Sequence, residues 1–376
     1  MTIDTTDTAF EVKMAEAAAA HIRPVADLGT CSEFPLHIWQ ALGNAGLLDP
    51  DAAASAGPSH CLTIARTARV LVSEGGNLGL SLSWMIHHLV AGCLVRPRLC
   101  RQACADDLWK QVKRGETTIC LAVSEPDAGA HPKFLAARAE RRSGGFALTG
   151  EKTYLTNGPI ADAYAVVAIT GEKEGKKAFS AFLLDRGTPG LTVSDPMPLP
   201  FFKPSPHGSV SMNGCEVGED RLLGNDGEAF PDLVLPFRHL EDAVMTGPVT
   251  GAMTFIAAAL AKRMGRLSPG PPEKLEALGR VKVLTDAAVF LSDRIASGID
   301  LKDNTGYLVL YFRQMASQYL TAVNDLLSAT GICLDGPAAI MLADLHASAR
   351  LGKTVAGLKL QKIGRQAAAA KDFAGE

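Results

Sequence analysis

The residues best suited to chemistry lie in two places in this 376-residue chain. One is a turn-rich stretch that opens with Ser124-Glu125-Pro126-Asp127-Ala128-Gly129 and resumes as Lys152-Thr153-Tyr154-Leu155-Thr156-Asn157-Gly158. The other is the acidic pair Glu241-Asp242. Taken alone, the hydroxyls would cap turns, and the two acids would lie in the first turn of a helix, where the helix dipole favours negative charge.

Other kinds of chemistry find little support in the residue spacing. Eight cysteines are spread along the chain, and the closest pair, Cys100 and Cys104, lacks the two-residue spacing of a zinc or redox motif. The histidines of the doublet His87-His88 point to different faces of a helix. No Gly-x-Gly-x-x-Gly occurs, and Gly352-Lys353-Thr354 lacks the earlier glycine of a P-loop. A metal centre, a Rossmann fold and a P-loop are therefore disfavoured.

Changes in hydrophobic periodicity divide the chain into three parts. Helical spacing dominates up to residue 118, where Leu80–Val95 is almost wholly apolar and therefore predicted to be buried. Period-two alternation with Pro-Asp and Asn-Gly turns, and a further turn at Gly150, predicts short antiparallel strands. Helical stripes then return: Val281, Leu284, Ala288, Leu291 and Ile295, then Leu308, Tyr311, Phe312, Met315 and Tyr319.

These patterns predict an α+β multidomain protein. Its parts are an N-terminal helical domain (1–118), a central antiparallel β-domain (119–224) and a C-terminal four-helix bundle (225–376). Breaks within the bundle are expected at 268–272, 298–300 and 335–337.

Bulk composition limits the partners. A net charge of −3 and a pI near 6.3 provide no basic field for nucleic acid or anionic lipid. The N-terminus lacks the layout of a signal peptide, and we expect no run to approach the ~18 apolar residues of a membrane span. We therefore expect a cytoplasmic protein with neither nucleic acid nor membrane as a partner.

The two halves of the turn-rich stretch resemble the central domain of the acyl-CoA dehydrogenase flavoproteins. The pattern is Ser-Glu-Pro-x-Ala-Gly followed by Gly-x-Lys-x-Tyr-x-Thr-Asn-Gly, and it continues into Phe182-Leu183-Leu184-Asp185 and Pro189-Gly190. The order of helices, β-domain and helices is also similar to that family. The resemblance covers nearly the whole chain and implies FAD as the cofactor.

The resemblance also implies the site residues. It places the following at the cofactor: Leu121, Val123, Ser124, Gly129, Ala130, Tyr154, Thr156 and Thr354. It places Ala130 and the backbone N–H of Gly352 at the substrate. It further implies that Thr156 donates a hydrogen bond to the N5 edge of the flavin ring.

The implied reaction removes the α-proton of an acyl thioester and passes a hydride from the β-carbon to the flavin. Most family members carry the glutamate base at the position of Gly352, and an isovaleryl- and long-chain-type branch supplies it from an earlier helix. Here Glu241 precedes Gly251 by ten residues, as in that branch. The resemblance therefore implies that Glu241 is the catalytic base. His131, which lies beside the predicted flavin-binding turn, is the next residue to test.

Several departures from the family pattern keep alternatives open. Ala130 and His131 replace a Ser-Asp pair, Asp242 replaces an arginine, and Ser328-Ala329-Thr330-Gly331 replaces a glycine-rich run. The implied partners are an acyl-CoA or acyl-carrier-protein substrate, and an electron-transfer flavoprotein or oxygen as acceptor. A homodimer or homotetramer is also implied. The alternatives are a relative that acts on an unusual or carrier-bound acyl group, and a non-catalytic binding or assembly subunit.

Overall fold

The computed structural model describes residues 8–56, 60–101, 105–265, 272–351 and 353–369. Within these ranges the chain begins with α1 (Ala9–Ala17), α2 (Leu36–Asn44), α3 (Pro50–Ser55), α4 (His60–Gly75), α5 (Leu78–His87) and α6 (Ala105–Lys113). The Asn77 side chain begins α5 by accepting the backbone N–H of Leu80 at 2.7 Å. All ten residues of α5 are buried, which confirms the predicted buried helix.

Two helical segments are long and apolar enough to cross a membrane by composition alone, namely Leu78–Leu99 and Phe230–Met264. The expectation that no run approaches that length was therefore wrong. Their most apolar windows are 89% and 72% buried inside the protein. Such burial is typical of core helices in a globular domain, so length and composition alone are weak evidence for a span.

The central part is one sheet of eight strands within the described residues. The strands are β1 (Ile119–Ala122), β2 (Arg138–Arg142), β3 (Gly145–Thr156), β4 (Ala163–Lys173), β5 (Lys176–Asp185), β6 (Leu191–Val193), β7 (His207–Gly218) and β8 (Leu222–Leu223). The order is β6-β7-β3-β2-β4-β5-β8, and β1 pairs with β4.

Two features of this sheet differ from the prediction. The sheet is mixed rather than wholly antiparallel, because β1 runs parallel to β4 from Ile119↔Ala163 to Ala122↔Val166. Gly150 is also not a turn, since β3 runs through it with a φ of +140°. A Cβ at Gly150 would lie 2.6 Å from the Ala137 Cβ, so glycine is needed there for close strand packing.

Successive side chains of β1, β4 and β5 point alternately into two different hydrophobic cores, one on each face of the sheet. Leu121, Ala165 and Leu183 face a core shared with the helices. Their neighbours Cys120 and Phe182 face a second core formed within the sheet region. The period of two therefore fixes which residues of the sheet face the helices.

The C-terminal part contains more helices than the predicted four. They are α7 (Leu235–Val244), α8 (Thr246–Met264), α9 (Pro272–Asp300), α10 (Gly306–Thr330), α11 (Gly336–Leu351) and α12 (Lys353–Ala369). The predicted break at 298–300 lies instead in the last turn of α9. Most of the predicted break at 268–272 lies outside the described residues.

The predicted apolar stripes lie largely in the core. Val281, Ala288 and Ile295 of α9 are fully buried, as is Tyr319 of α10. Tyr311 is the exception, because its side chain is 55% exposed.

The N-terminal and C-terminal helices pack directly on one another. A Cβ at Gly247 of α8 would lie 2.1 Å from the Ala65 carbonyl oxygen of α4, and one at Gly251 would lie 2.5 Å from the Arg69 carbonyl oxygen. Arg69 also pairs with Asp293 of α9 at 2.7 Å. The two glycines therefore allow the close approach that places α7 and α8 against the rest of the protein.

We expect Gly247→Ala to lower the free energy of unfolding by about 1–3 kcal/mol, because the new methyl group would overlap the α4 backbone. The control is Gly279→Ala in α9, where a Cβ meets nothing within 4 Å. It should raise stability by about 0.5–1 kcal/mol through helix propensity. Urea denaturation measures both changes, and equal effects of the two substitutions would contradict the close packing.

Candidate active site

A buried ion pair joins the two halves of the turn-rich stretch. Lys152 Nζ lies 2.8 Å from Glu125 Oε1, and both side chains are buried. Lys152 also donates to the Val123 carbonyl at 3.1 Å. The Glu125 carboxylate accepts the backbone N–H groups of Ala136 at 2.6 Å and Ala137 at 3.0 Å. Burial lowers the pKa of Lys152, and the bond to Glu125 opposes that change.

The backbone brings the remaining residues of both halves together. The Thr153 N–H donates to the Ser124 carbonyl at 2.8 Å. The pairing of β3 with β7 shifts register between Lys152 and Leu155, and Tyr154 lies in this bulge with a φ of +56°. Its side chain is 65% exposed. A bulky residue held in this strained conformation is typical of a functional site.

Thr156 has a partner that the motif did not indicate. Its Oγ1 lies 3.1 Å from His207 Nε2, across the pairing of β3 with β7. Next to it, the buried Asn157 donates from Nδ2 to the Ser83 carbonyl of α5 at 3.0 Å. The end of β3 is therefore fixed both to β7 and to the helical core.

Leu121 and Val123 contribute differently from the polar residues. Both side chains are buried in the core shared with the helices. Any contact that they make with a ligand would therefore come mainly from the backbone. Gly129 is exposed, with a φ of +54°, in the turn that begins at Glu125.

An arginine on α7 reaches the same turn. Arg238 Nη2 donates to the Ala130 carbonyl at 2.6 Å. Arg238 and Glu241 are three residues apart in one helix and therefore share a face. This contact brings the face of α7 that carries Glu241 to the turn at residues 125–130, which the resemblance predicts to face the flavin and which is called the flavin-facing turn below.

Glu241 does not lie where the simpler interpretation placed it. It is the seventh of ten residues in α7, so the alternative of a first-turn acid is wrong. A helix C-terminus does not stabilise a carboxylate. Its side chain is partly buried, and no hydrogen bond joins it to any residue that the structure describes. Burial, and then the neighbouring Asp242, raise its pKa to about 7, against the opposing effect of Arg238 and Arg313.

Asp242, the residue after Glu241, links α7 to two other helices through ion pairs. Asp242 pairs with Arg313 of α10 at 2.8 Å and with Lys359 of α12 at 3.4 Å. The latter bond places α12, which contains Thr354, beside α7. Gly352 and the side chain of Thr354 lie outside the described residues, so their predicted roles stay predictions.

The residues that replace the family's glycine-rich run, at the end of α10, have structural partners, as do nearby Arg263 and the exposed His131. The Thr330 hydroxyl donates to the Leu326 carbonyl at 2.7 Å, and Gly331 ends α10 with a φ of +68°. Arg263 pairs with Asp335. His131 is exposed, and its Nδ1 accepts the Lys133 N–H at 3.3 Å.

The donor set near the flavin-facing turn fits a flavin ring. The backbone N–H groups of Ser124 and Ala130 make no hydrogen bond within the described residues, and neither does the Ser124 hydroxyl. The exposed Tyr154 ring lies on the neighbouring strand. Free donors beside an aromatic side chain can hold the polar edge and the flat face of such a ring.

Comparison with known proteins agrees with this geometry. A family model described as "Acyl-CoA dehydrogenase, middle domain" matches residues 120–215. The central part of the chain is therefore similar to the middle domain of the acyl-CoA dehydrogenases. The matched residues run from β1 to β7 and contain both halves of the motif, which confirms the resemblance inferred from it.

Two curated relatives and one solved structure describe this similarity further. The chain is 28% identical to a mitochondrial isovaleryl-CoA dehydrogenase of Solanum tuberosum, over 60% of this chain and 55% of the relative. It is 31% identical to an L-prolyl-[peptidyl-carrier protein] dehydrogenase of Serratia sp., over 40% of this chain and 39% of the relative. The chain thus spans about half the length, or less, of these curated relatives.

The structure of PigA with FAD and proline covers more of the chain. It has a TM-score of 0.76 at 19% identity, over 96% of this chain and 99% of that one. This likeness shows the fold. It confirms the predicted succession of helices, sheet and helices in an acyl-CoA dehydrogenase-like arrangement.

Replacement of Lys152 tests the ion pair on which the flavin-facing turn depends. We expect Lys152→Met to destabilise the protein by about 3–5 kcal/mol, because it leaves the Glu125 carboxylate buried without its cation. Lys110→Met, which removes a fully exposed partner of Asp107, is the control and should change the melting temperature little. Calorimetry measures both, and a Lys152→Met protein as stable as the control would show that the pair is dispensable.

Proposed function

We propose that this protein is a FAD-dependent dehydrogenase that oxidises an acyl thioester to its 2,3-enoyl thioester, with Glu241 as the base. The observation that carries the proposal is the Glu241 carboxyl, which is partly buried and has a pKa raised to about 7. A general base is most effective when its pKa lies near the working pH. A carboxylate hydrogen-bonded to protein groups would be a weaker base, and within the described residues Glu241 has no such bond.

The position of α7 supports this role. Arg238 holds the helix against the Ala130 carbonyl of the flavin-facing turn. Glu241, on the same helix face, would take the α-proton of a thioester that lies against that turn. Bound FAD would accept the hydride from the β-carbon, and it would be held by Ser124, Tyr154, Thr156 and the backbone of the turn.

The acyl carrier is CoA or a carrier protein. The isovaleryl-CoA relative supports a CoA thioester, and the prolyl-carrier relative supports a carrier-bound one. The departure at Asp242, which pairs with Arg313 and Lys359, favours a substrate entrance unlike that of the usual family members. The electron acceptor is an electron-transfer flavoprotein or oxygen.

The protein is further proposed to be a homodimer or homotetramer. Val283 and Phe290 of α9, and Tyr307 and Tyr311 of α10, are 55–67% exposed. Apolar side chains at helical spacing on an open surface favour association. The six cysteines that the structure describes as free support a reducing, cytoplasmic location.

Replacement of the base tests the proposal. Holoprotein reconstituted with FAD would be assayed for oxidation of isovaleryl-CoA and of an L-prolyl carrier protein. We expect Glu241→Gln to keep FAD but to lose at least about 10²-fold in turnover, because the amide cannot take the proton. Glu276→Gln, which alters an exposed pair with Arg280, is the matched control and should leave turnover unchanged.

The outcomes separate the alternatives. A Glu241→Gln protein that turns over at the parental rate would refute Glu241 as the base and make His131 the next residue to replace. A parent protein that binds FAD but oxidises neither probe would exclude isovaleryl-CoA and the L-prolyl carrier protein as its substrates. A parent protein that does neither would favour a non-catalytic subunit with this fold.

The raised pKa of Glu241 predicts two pH effects. The kcat/KM of the parent should rise with pH and level off above about 7, because only the carboxylate can act as the base. The folded state holds the Glu241 proton more tightly than the unfolded chain, whose glutamate pKa is near 4.5. Stability contributed by the protonated group is therefore lost as the pH rises from about 4.5 to about 7.

Glu241→Gln should abolish this loss. Its melting temperature should therefore increase relative to the parent as the pH is raised from about 5 to about 8, as measured by calorimetry. A constant difference across this range would contradict the raised pKa.

A further inference from the structure

The hydrogen bonds of His207 assign its protons. Its Nδ1 lies 3.2 Å from the Ser205 carbonyl oxygen. A carbonyl can only accept a hydrogen bond, so Nδ1 carries the proton. Burial lowers the pKa of His207, so the ring is neutral and Nε2 is an acceptor. The Thr156 hydroxyl, 3.1 Å from Nε2, is therefore the donor in that bond.

The surrounding structure fixes this arrangement. Ser205 is buried, and its hydroxyl lies 2.9 Å from the Ser83 hydroxyl of α5, which donates to it. The same loop is held by the Phe202 N–H, which donates to Asp344 of α11 at 2.9 Å. His207 is also the residue opposite Thr156 in the pairing of β3 with β7. The imidazole is thus held from two sides.

This bond uses the single proton of the Thr156 hydroxyl. A hydroxyl has one donor and two acceptor positions, so the partly buried Thr156 oxygen can present only lone pairs to a second partner. The resemblance to the family implied the opposite polarity, with Thr156 donating to the flavin.

We propose that His207 is a positioning residue that keeps the Thr156 hydroxyl turned so that it accepts, rather than donates, a hydrogen bond at the flavin. This inference rests on the proposed function, which places the ring against Thr156. An oxidised flavin ring has a lone pair at N5, whereas a reduced ring has an N–H there. An acceptor at Thr156 therefore favours the reduced ring.

Three variants test the proposal through the midpoint potential of the bound flavin. His207→Phe frees the Thr156 proton, so the potential should become more negative than that of the parent. His207→Gln offers an amide oxygen that can accept from Thr156, and should restore most of the parental potential. His37→Gln, which replaces an exposed histidine of α2, is the control and should leave the potential unchanged.

The tautomer provides a readout that needs no flavin. Nitrogen-15 spectra of the protein should show His207 protonated at Nδ1 and not at Nε2. An Nε2–H tautomer would overturn the assignment of the donor and the proposal with it.

The outcomes distinguish this inference from the function on which it rests. If the parent binds flavin and His207→Phe has the parental potential, only the role of His207 is refuted. If the parent binds no flavin, the proposed function fails and the role of His207 fails with it.

Discussion

The candidate site depends on the buried pair between Glu125 and Lys152. The pair joins two segments of the chain: Lys152 of β3 also donates to the Val123 carbonyl after β1, and Glu125 also accepts the backbone N–H groups of Ala136 and Ala137. Burying two charges gains little net stability, because desolvation offsets their attraction. What the pair provides is a single relative position for the turn after β1 and the bulge in β3. Ser124, Tyr154 and Thr156 take their places from it.

The C-terminal helices then bring the Glu241 carboxyl group towards these residues. Glycines 247 and 251 let α8 approach α4, and Asp242 bonds α7 to α10 and α12. Arg238 makes the connection to the turn itself. Glu241 needs these contacts because its own side chain has no hydrogen bond within the described residues to hold it. The freedom from such bonds would also suit Glu241 to the proposed role of base.

The sequence predicted the parts of this arrangement that depend on local pattern. Period-two alternation located the sheet, an apolar run located the buried helix α5, and helical spacing located the core face of α9. The two motif halves provided the prediction of which residues face the flavin. It did not predict contacts between distant segments. The bond between Thr156 and His207 spans 51 residues, and that between Arg238 and Ala130 spans 108. The glycines at 150 and 298 wrongly predicted a turn and a helix break, because glycine also occurs where strands pack closely and in the last turn of a helix.

The most direct measurement is a titration of the purified, flavin-free protein with FAD, followed by gel filtration and visible absorption of the protein peak. The account predicts that flavin absorption elutes with the protein, and that its bands are shifted from those of free FAD because the ring lies among the Ser124, Tyr154 and Thr156 side chains. A folded protein that elutes without flavin absorption would contradict the assignment of this face as a flavin site.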